Sequence, residues 1–248
     1  MNYDPLAELY DLQYRHYRDD LSFYTRLAHD YGGPVLELGA GTARVAAALA
    51  RAGHVVVALE LSPEMISRGE KRLHDAGLTD VTYHRDDMRS ARLSRTFPLI
   101  IAPFNTLMHA YTLSDQDATL QTVRAHLEPG GRFAFDLYTP NFNELNVLRL
   151  EPEWAHVGRE GGEEGGELFL LQTHDPDAQL LTTRYFLDRT DAYGVPRRER
   201  VTLTQRYFYR FELERALLQN GFAQMQFYGD FSRSRFHAHA PYLVCVAR

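Results

Sequence analysis

The sequence predicts an α/β fold, namely a doubly wound, mostly parallel seven-stranded sheet with a small antiparallel β insertion. Between residues 35 and 137, five short apolar runs alternate with stretches of helical periodicity, which is typical of strands joined by crossover helices. Beyond about residue 146 this alternation gives way to segments rich in Thr, Tyr, Phe and Leu, separated by turn residues. With 248 residues and 44% apolar content, the chain is large enough to bury such a core.

The region before the first strand predicts one or two helices. Over residues 6–30, leucines and tyrosines recur at three- and four-residue steps. The simplest interpretation is an amphipathic helical cap on the core, and the alternative is that some of the tyrosines face a ligand. The sequence Gly32-Gly33-Pro34 then ends the helical pattern.

The core elements follow in the order strand, helix, strand. A continuous apolar run such as Val55–Leu59 is typical of a parallel strand buried on both faces. Ser62 and Pro63 have the residue types that favour the N-cap and the first position of a helix. The predicted strands cover residues 35–38, 54–61, 81–84, 99–102 and 132–137. The predicted helices between them cover residues 43–52, 62–76 and 115–127, and Glu128-Pro129-Gly130-Gly131 ends the last one.

The rest of the chain predicts an antiparallel insertion and a return to the core. Predicted insertion strands cover residues 168–173, 180–189 and 198–209, after a Gly- and Glu-rich loop at 160–167. A helix at 211–220 and strands at 223–228 and 242–247 follow. We therefore divide the chain into a helical cap (1–30), an α/β core (31–146), an antiparallel insertion (147–209) and a segment that completes the core (210–248).

Composition excludes several classes of partner. The net charge of −6 and the isoelectric point of about 6.0 provide no global field that attracts nucleic acid. Residues 1–20 lack the apolar segment of a signal peptide, and no run approaches the roughly 20 apolar residues of a membrane span. The single cysteine, Cys245, excludes an internal disulfide and fits a reducing compartment. We expect a cytoplasmic protein that binds neither nucleic acid nor membranes.

The segment Glu37-Leu38-Gly39-Ala40-Gly41-Thr42 predicts a ligand site, because it follows a buried strand and precedes a helix. Glycines let the backbone approach a ligand closely, and a helix start offers unpaired N–H groups. Such a turn is where open α/β sheets bind nucleotide-like ligands. A nicotinamide dinucleotide is one candidate, since an acid, Glu60, follows Gly41 by 19 residues. Arg44 argues against it, because it occupies the place of the third glycine in the dinucleotide motif.

Five motifs in order and spacing resemble the class I S-adenosylmethionine (SAM)-dependent methyltransferases. They are the segment 37–42, Glu60 at the end of strand 2, Asp87-Met88 after strand 3, the segment 127–132, and the segment 211–222 with its following strands. The sequence departs from the family in having Ala43 and Asp86 where glycines are common. The resemblance covers most of the chain. It implies a Rossmann-like methyltransferase fold and methyl transfer from SAM to a small-molecule amine, hydroxyl or carboxylate.

The resemblance also implies which residues bind SAM. Glu60 would accept hydrogen bonds from both ribose hydroxyls, and Asp87 would accept one from the adenine amino group. Leu61 and Met88 would pack on either side of the adenine, while Phe104 and Asn105 would lie near the transferable methyl. One tyrosine of the first helix would close over the cofactor. The expected cofactor-binding residues are Tyr14, Glu37, Gly39, Gly41, Glu60, Leu61, Asp87, Met88, Phe104 and Asn105.

Candidates for a general base follow the strand ends. An amine acceptor must arrive unprotonated, and His109 or Tyr138 could take its proton. Packing or surface roles are the simpler interpretation of both residues. His237 and His239 have a spacing seen in metal sites, but no third ligand accompanies them, so we expect no metal.

The insertion has two interpretations. By resemblance to small-molecule methyltransferases, which include sugar amine and glycine methyltransferases, it would be a lid over the substrate. Alternatively it extends the core or forms a dimer contact, so a homodimer is a further expectation. The lid would present the aromatic residues Trp154, Phe169, Tyr185, Phe186, Tyr207, Phe208 and Tyr209. Two other functions remain open at this point, an NAD(P)-dependent oxidoreductase and a SAM-binding protein without catalytic activity.

Overall fold

The computed structural model describes residues 3–139, 153–160, 166–190 and 193–248, with only the backbone for 153–160. The helices are α1 (Ala7–Tyr14), α2 (Leu21–Tyr31), α3 (Arg44–Arg51), α4 (Pro63–Asp75), α5 (Leu113–His126) and α6 (Arg210–Gln219). The strands are β1 (Val35–Leu38), β2 (Val56–Glu60), β3 (Val81–Arg85), β4 (Phe97–Ala102), β5 (Leu127–Tyr138), β6 (Glu153–Glu160), β7 (Gly166–Asp175), β8 (Leu180–Thr190), β9 (Pro196–Arg206), β10 (Met225–Tyr228) and β11 (Tyr242–Ala247). No helix in the described ranges has the length and apolar character that a bilayer crossing needs.

The chain divides into two compact units. Among the described residues, unit 1 comprises 3–4, 18–139 and 208–248, and unit 2 comprises 5–17, 153–160, 166–190 and 193–207. The predicted boundary at residue 146 lies outside the described residues, as do residues 161–165 of the predicted loop and the side chain of Trp154. The division of the chain at residues 30, 146 and 209 stays a prediction.

Unit 1 contains the predicted seven-stranded sheet, with the strand order β10-β11-β5-β4-β1-β2-β3. Strand β11 runs antiparallel to β10 and β5, and the other pairs are parallel. The order reverses between β1 and β4, which is the switch point at whose carboxyl edge open α/β sheets bind ligands. Helix α3 contacts α2 and α4, while α5 contacts α6. Right-handed crossovers therefore place these two groups on opposite faces of the sheet.

Burial explains why the predicted strands form. Every residue of β1 and β2 is buried, as expected for parallel strands covered by helices on both faces. Helix α4 begins as predicted, since the Ser62 hydroxyl accepts a hydrogen bond from the Met65 N–H over 3.1 Å and Pro63 is the first helical residue. The fold class expected from the sequence is confirmed.

Several predicted boundaries are wrong. Strand β9 ends at Arg206 rather than at residue 209, and residues 160, 166 and 167 of the predicted loop lie in β6 and β7. Strand β5 begins at Leu127 rather than at residue 132, because Leu127 pairs with Phe97 before the register shifts to the pair Leu99–Arg132. Gly130 has φ +84° within this irregular stretch. The Pro-Gly-Gly segment is thus a distorted strand start, where the sequence suggested only a helix stop.

Unit 2 is a four-stranded antiparallel sheet, β6-β7-β8-β9, together with α1. The antiparallel insertion is confirmed, and its first strand, β6, was not predicted. Helix α1 is tied to the sheet by polar contacts. Arg189 forms an ion pair with Glu8 over 2.6 Å, and the Tyr14 and Tyr185 hydroxyls are hydrogen-bonded.

Candidate cofactor site

The turn between β1 and α3 has the backbone conformation that its glycines predict. Gly39 and Gly41 have φ of +60° and +54°, in the left-handed region that favours glycine. Ala43 is also left-handed, with φ +61°. This conformation is a physical reason why glycine is common at this position in the family that the sequence resembles. A Cβ on Gly39 would lie 2.7 Å from Cγ2 of Thr106, whereas one on Gly41 would meet no atom nearer than 4.0 Å. The turn is closely packed on one side and open at Gly41.

Glu60 fixes this turn through backbone amides. One carboxylate oxygen accepts the Gly41 N–H over 2.9 Å, and the other accepts the N–H groups of Leu61 and Ser62, each over 2.9 Å. Glu60 is 8% exposed, and burial raises the pKa of its carboxyl while the three amides oppose that rise. A carboxylate offers about four acceptor positions, so Glu60 retains capacity for a ligand hydroxyl.

Glu37 presents a buried carboxylate that needs a partner. It is 2% exposed, and its Oε2 has no hydrogen-bond partner among the described residues. Burial raises its pKa to about 8, and the positive charge of Arg44 opposes this rise. An unsatisfied buried acceptor is costly unless a donor reaches it. The ammonium of the methionine part of SAM is such a donor, so the residues at this turn fit the expected cofactor.

A second buried charge pair lies beside the turn. Arg44, the first residue of α3, donates two hydrogen bonds of 2.6 Å to the carboxylate of Asp20. Its guanidinium also stacks over the Phe104 ring, 5.2 Å from the centroid. In the sequence, Arg44 argues only against a dinucleotide, and no local pattern predicts this pairing with Asp20, 24 residues away.

The turn after β4 brings three predicted residues together. Phe104 and Asn105 are both left-handed, with φ of +54° and +64°. The Phe104 N–H donates to Oδ1 of Asp136 over 2.9 Å, and the Asn105 N–H donates to the Asp136 carbonyl over 3.1 Å. The Asn105 side-chain oxygen accepts the Tyr138 N–H over 2.6 Å. The turn is therefore bonded to the carboxyl end of β5, and Asp136 is a residue that the sequence analysis missed.

The expected adenine turn is held by an ion-pair chain. The Asp87 carboxylate accepts hydrogen bonds from the side chain and the N–H of Arg89, and Arg89 also pairs with Asp115 over 2.8 Å. Hydrogen bonding from Arg89 lowers the pKa of Asp87. Asp86 instead accepts the Asp87 N–H over 2.8 Å.

The two apolar residues expected to pack on the adenine are accessible. Leu61 is 42% exposed, and Met88 is half-buried. Their predicted packing on the adenine, like the predicted contact of Asp87 with its amino group, stays a prediction.

The two proposed general bases lie in different surroundings. His109 ends a short 3₁₀ turn, Thr106–His109, and its ring packs edge-on against that of Tyr3 at 5.1 Å between centroids. Tyr111 lies 6.5 Å from His109 on the same measure. Tyr138 is 37% exposed at the end of β5. The catalytic roles of His109 and Tyr138 stay predictions.

Tyr14 belongs to unit 2, where its ring also lies 5.2 Å from that of Tyr10. Its contact with the cofactor stays a prediction. Within the described parts of the chain, no group of three or more His, Cys, Asp or Glu residues could hold a metal ion.

Comparisons with known proteins identify the fold and show which proteins the chain resembles. Residues 35–131 match the family described as "Methyltransferase domain", a range that contains the glycine turn, Glu60, Asp87 and Phe104. The solved CcbJ methyltransferase from Streptomyces caelestis is 26% identical, with a TM-score of 0.79 over 99% of this chain and 96% of that one. The predicted resemblance to the class I SAM-dependent methyltransferases is confirmed.

Two curated Streptomyces relatives carry more specific names. The dTDP-3-amino-3,6-dideoxy-alpha-D-glucopyranose N,N-dimethyltransferase of Streptomyces fradiae is 27% identical over 236 residues, covering 87% of this methyltransferase and 83% of the relative. The dTDP-3-amino-3,4,6-trideoxy-alpha-D-glucopyranose N,N-dimethyltransferase of Streptomyces venezuelae is 29% identical over 132 residues, or 50% of this chain. That second match spans 54% of the relative's length.

The comparisons decide between the functions that the sequence left open. SAM as cofactor and methyl transfer as the type of reaction are confirmed for this methyltransferase. The oxidoreductase alternative receives no support.

Proposed function

We propose that this methyltransferase transfers a methyl group from SAM to the amino group of a small molecule, with nucleotide-linked amino sugars as the first class to test. The curated relatives named for 3-amino sugars supply the substrate class. Two observations at the glycine turn support SAM as the cofactor. The buried Glu37 carboxylate has an oxygen without a partner among the described residues, which matches a cationic ligand, and the space next to Gly41 is unfilled.

SAM, when bound, supplies a methyl group already activated on a sulfonium, so the protein mainly positions the reactants and excludes water. Glu60 would accept a hydrogen bond from a ribose hydroxyl, Asp87 one from the adenine amino group and Glu37 one from the methionine ammonium. His109 or Tyr138 would accept the proton of an incoming amine. An acceptor hydroxyl or carboxylate remains the alternative for the methylated atom.

The proposal is tested by incubating the protein with SAM and matched pairs of sugar nucleotides, one carrying an amine and the other a hydroxyl at the same carbon. We expect mass spectrometry to detect one or two added methyl groups on the amino sugar and none on the hydroxy sugar. Methylation of the hydroxy sugar alone would overturn the choice of nitrogen. Tight SAM binding without transfer to any acceptor would favour a SAM-binding protein that lacks catalytic activity.

Two further parts of the proposal concern assembly and compartment. We propose a homodimer, which light scattering coupled to size-exclusion chromatography would test directly. We also propose that the protein acts in the cytoplasm, where Cys245, a buried free thiol, would remain reduced. Fractionation of cells that express a tagged form would test this location.

A further inference from the structure

We propose that Tyr24 and Asp136 are positioning residues for methyl transfer, because together they hold the Phe104–Asn105 turn beside the cofactor turn. The inference rests on the proposed function for its catalytic consequence. Its structural part depends only on unit 1.

The hydrogen bond between Tyr24 and Asp136 is buried and short. The Tyr24 hydroxyl of α2 donates to Oδ1 of Asp136 in β5 over 2.5 Å, and both residues are at most 1% exposed. The same carboxylate oxygen accepts the Phe104 N–H over 2.9 Å. One oxygen atom thus joins helix α2, strand β5 and the turn after β4.

The turn needs this support because it is strained. Phe104 and Asn105 are consecutive non-glycine residues in the left-handed region, which L-residues rarely occupy. Strained backbone persists where surrounding contacts over-determine it, and such strain is typical of functional sites. Here the contacts are those of Asp136 and of the Tyr138 N–H with the Asn105 side chain.

Helix α2 connects this turn with the cofactor turn. Asp20 precedes α2 and lies one helical turn before Tyr24, whose N–H donates to its carbonyl over 3.2 Å. Asp20 binds Arg44 at the start of α3, and Arg44 stacks over the Phe104 ring. The contacts therefore close a ring that runs through Asp20, Arg44, Phe104, Asp136 and Tyr24.

The two turns also touch directly. Thr106 follows Asn105, and its side chain occupies the space that a Cβ on Gly39 would need. A shift of the Phe104–Asn105 turn would consequently move Thr106 against the glycine turn. Tyr24 and Asp136, neither of which was among the expected site residues, thus set the distance between the two turns.

The test begins with Tyr24→Phe, which keeps the buried ring and removes only the hydroxyl. Amide hydrogen exchange is measured without SAM, so that the result does not depend on the proposed function. We expect exchange at Phe104 and Asn105 to rise on the order of tenfold, the effect of losing one buried hydrogen bond, with little change elsewhere in unit 1. Wild-type exchange at both residues, or a uniform rise across unit 1, would overturn the positioning role.

Three other variants complete the design. Tyr228→Phe is the matched control, since it also removes one side-chain hydrogen bond, that of the exposed Tyr228–Gln226 pair. It should leave exchange at Phe104 and Asn105 unchanged. Asp136→Asn retains an oxygen acceptor and should preserve the protection of the turn. If Tyr24→Phe does not fold, Asp136→Ala carries the test, because it removes the acceptor of the Phe104 N–H and should raise exchange at Phe104. Loss of that protection in Asp136→Asn would contradict the proposal.

The catalytic consequence is measured on the acceptor that the sugar-nucleotide experiment identifies. Tyr24→Phe should lower kcat on the order of tenfold while KM for SAM stays within about twofold, because positioning acts mainly in the transition state. An unchanged kcat together with locally raised exchange would show that the pair holds the turn without serving methyl transfer. Failure of wild-type protein to bind SAM would instead contradict the proposed function.

Discussion

The hydroxyl of Tyr83 donates a hydrogen bond to the carbonyl oxygen of Gly41 over 2.8 Å. Glu60 holds the N–H of the same glycine, so both polar groups of Gly41 are fixed from neighbouring strands. Tyr83 reaches Gly41 because Gly69 of α4 has no side chain, and a Cβ there would lie 1.9 Å from the tyrosine hydroxyl oxygen. A helix glycine far from the cofactor turn in sequence therefore makes the conformation of that turn possible.

Gly69→Ala should destabilise the protein, against the usual effect of alanine in a helix. Alanine normally stabilises a helix interior by up to about 1 kcal/mol relative to glycine. Here the clash with Tyr83 should instead lower the unfolding free energy by about 1–3 kcal/mol, the range for overpacking. Denaturant unfolding measures this difference. Glu70→Ala at the adjacent exposed position is the control and should change stability by less than about 0.5 kcal/mol.

Tyr83→Phe separates the hydrogen bond from the packing. It should keep the ring beside Gly69 and weaken SAM binding by about 1 kcal/mol, because the Gly41 carbonyl loses its donor. Calorimetric titration with SAM measures the effect. Affinity equal to that of the wild type would mean that Glu60 alone fixes the glycine turn.

Glu60 has two roles that its substitutions can distinguish. Glu60→Ala should weaken SAM binding by about 1–3 kcal/mol and also lower stability, since three backbone amides lose their acceptor. Glu60→Gln retains one acceptor oxygen and should therefore lose less SAM affinity and less stability than Glu60→Ala. Calorimetry and denaturant unfolding of the two variants test this order. Unchanged SAM affinity in Glu60→Ala would refute the assignment of the ribose-binding acid.

The sequence predicted the elements that depend on local pattern and failed where distant residues meet. The apolar run of β1 and the helix signal at Ser62 lie within a few residues of the features they define, so they could be recognised directly. The Tyr24–Asp136 bond joins positions 112 residues apart, and no periodicity predicts it. Phe104 and Asn105 are left-handed without being glycine, so their conformation depends on β5 and could not be inferred from their types.

The Asp20–Arg44 pair should follow the energetics of a buried ion pair. Arg44→Met should lower the unfolding free energy by about 3–5 kcal/mol, because it leaves the Asp20 carboxylate buried without its partner. The double variant Asp20→Leu with Arg44→Met removes both charges and should be more stable than Arg44→Met alone. Unfolding of the two single variants and the double variant gives the coupling energy. Additive effects would indicate that the two side chains do not stabilise each other.

The unfolding free energy should fall as the pH rises from about 5 to 8. Burial raises the pKa of Glu37 to about 8 and that of Asp136 to about 7, both above the ordinary values of 4.5 and 3.8. The folded state therefore binds protons more tightly than the unfolded state. The stability that these groups contribute is complete below the unfolded values and is lost as the pH passes through the folded ones.

Glu37→Gln tests the larger of these two contributions. Glutamine does not ionise, so the variant should lose less stability than the wild type over this pH range, with the difference growing toward pH 8. Thermal unfolding at several pH values measures it, and Glu70→Gln, an exposed position on α4, is the control. Parallel pH profiles for wild type and Glu37→Gln would mean that Glu37 is already ionised in the folded protein. In that case Glu37 would carry a buried negative charge whose Oε2 has no hydrogen-bond partner among the described residues. Such a charge would match the methionine ammonium better than a protonated carboxyl would.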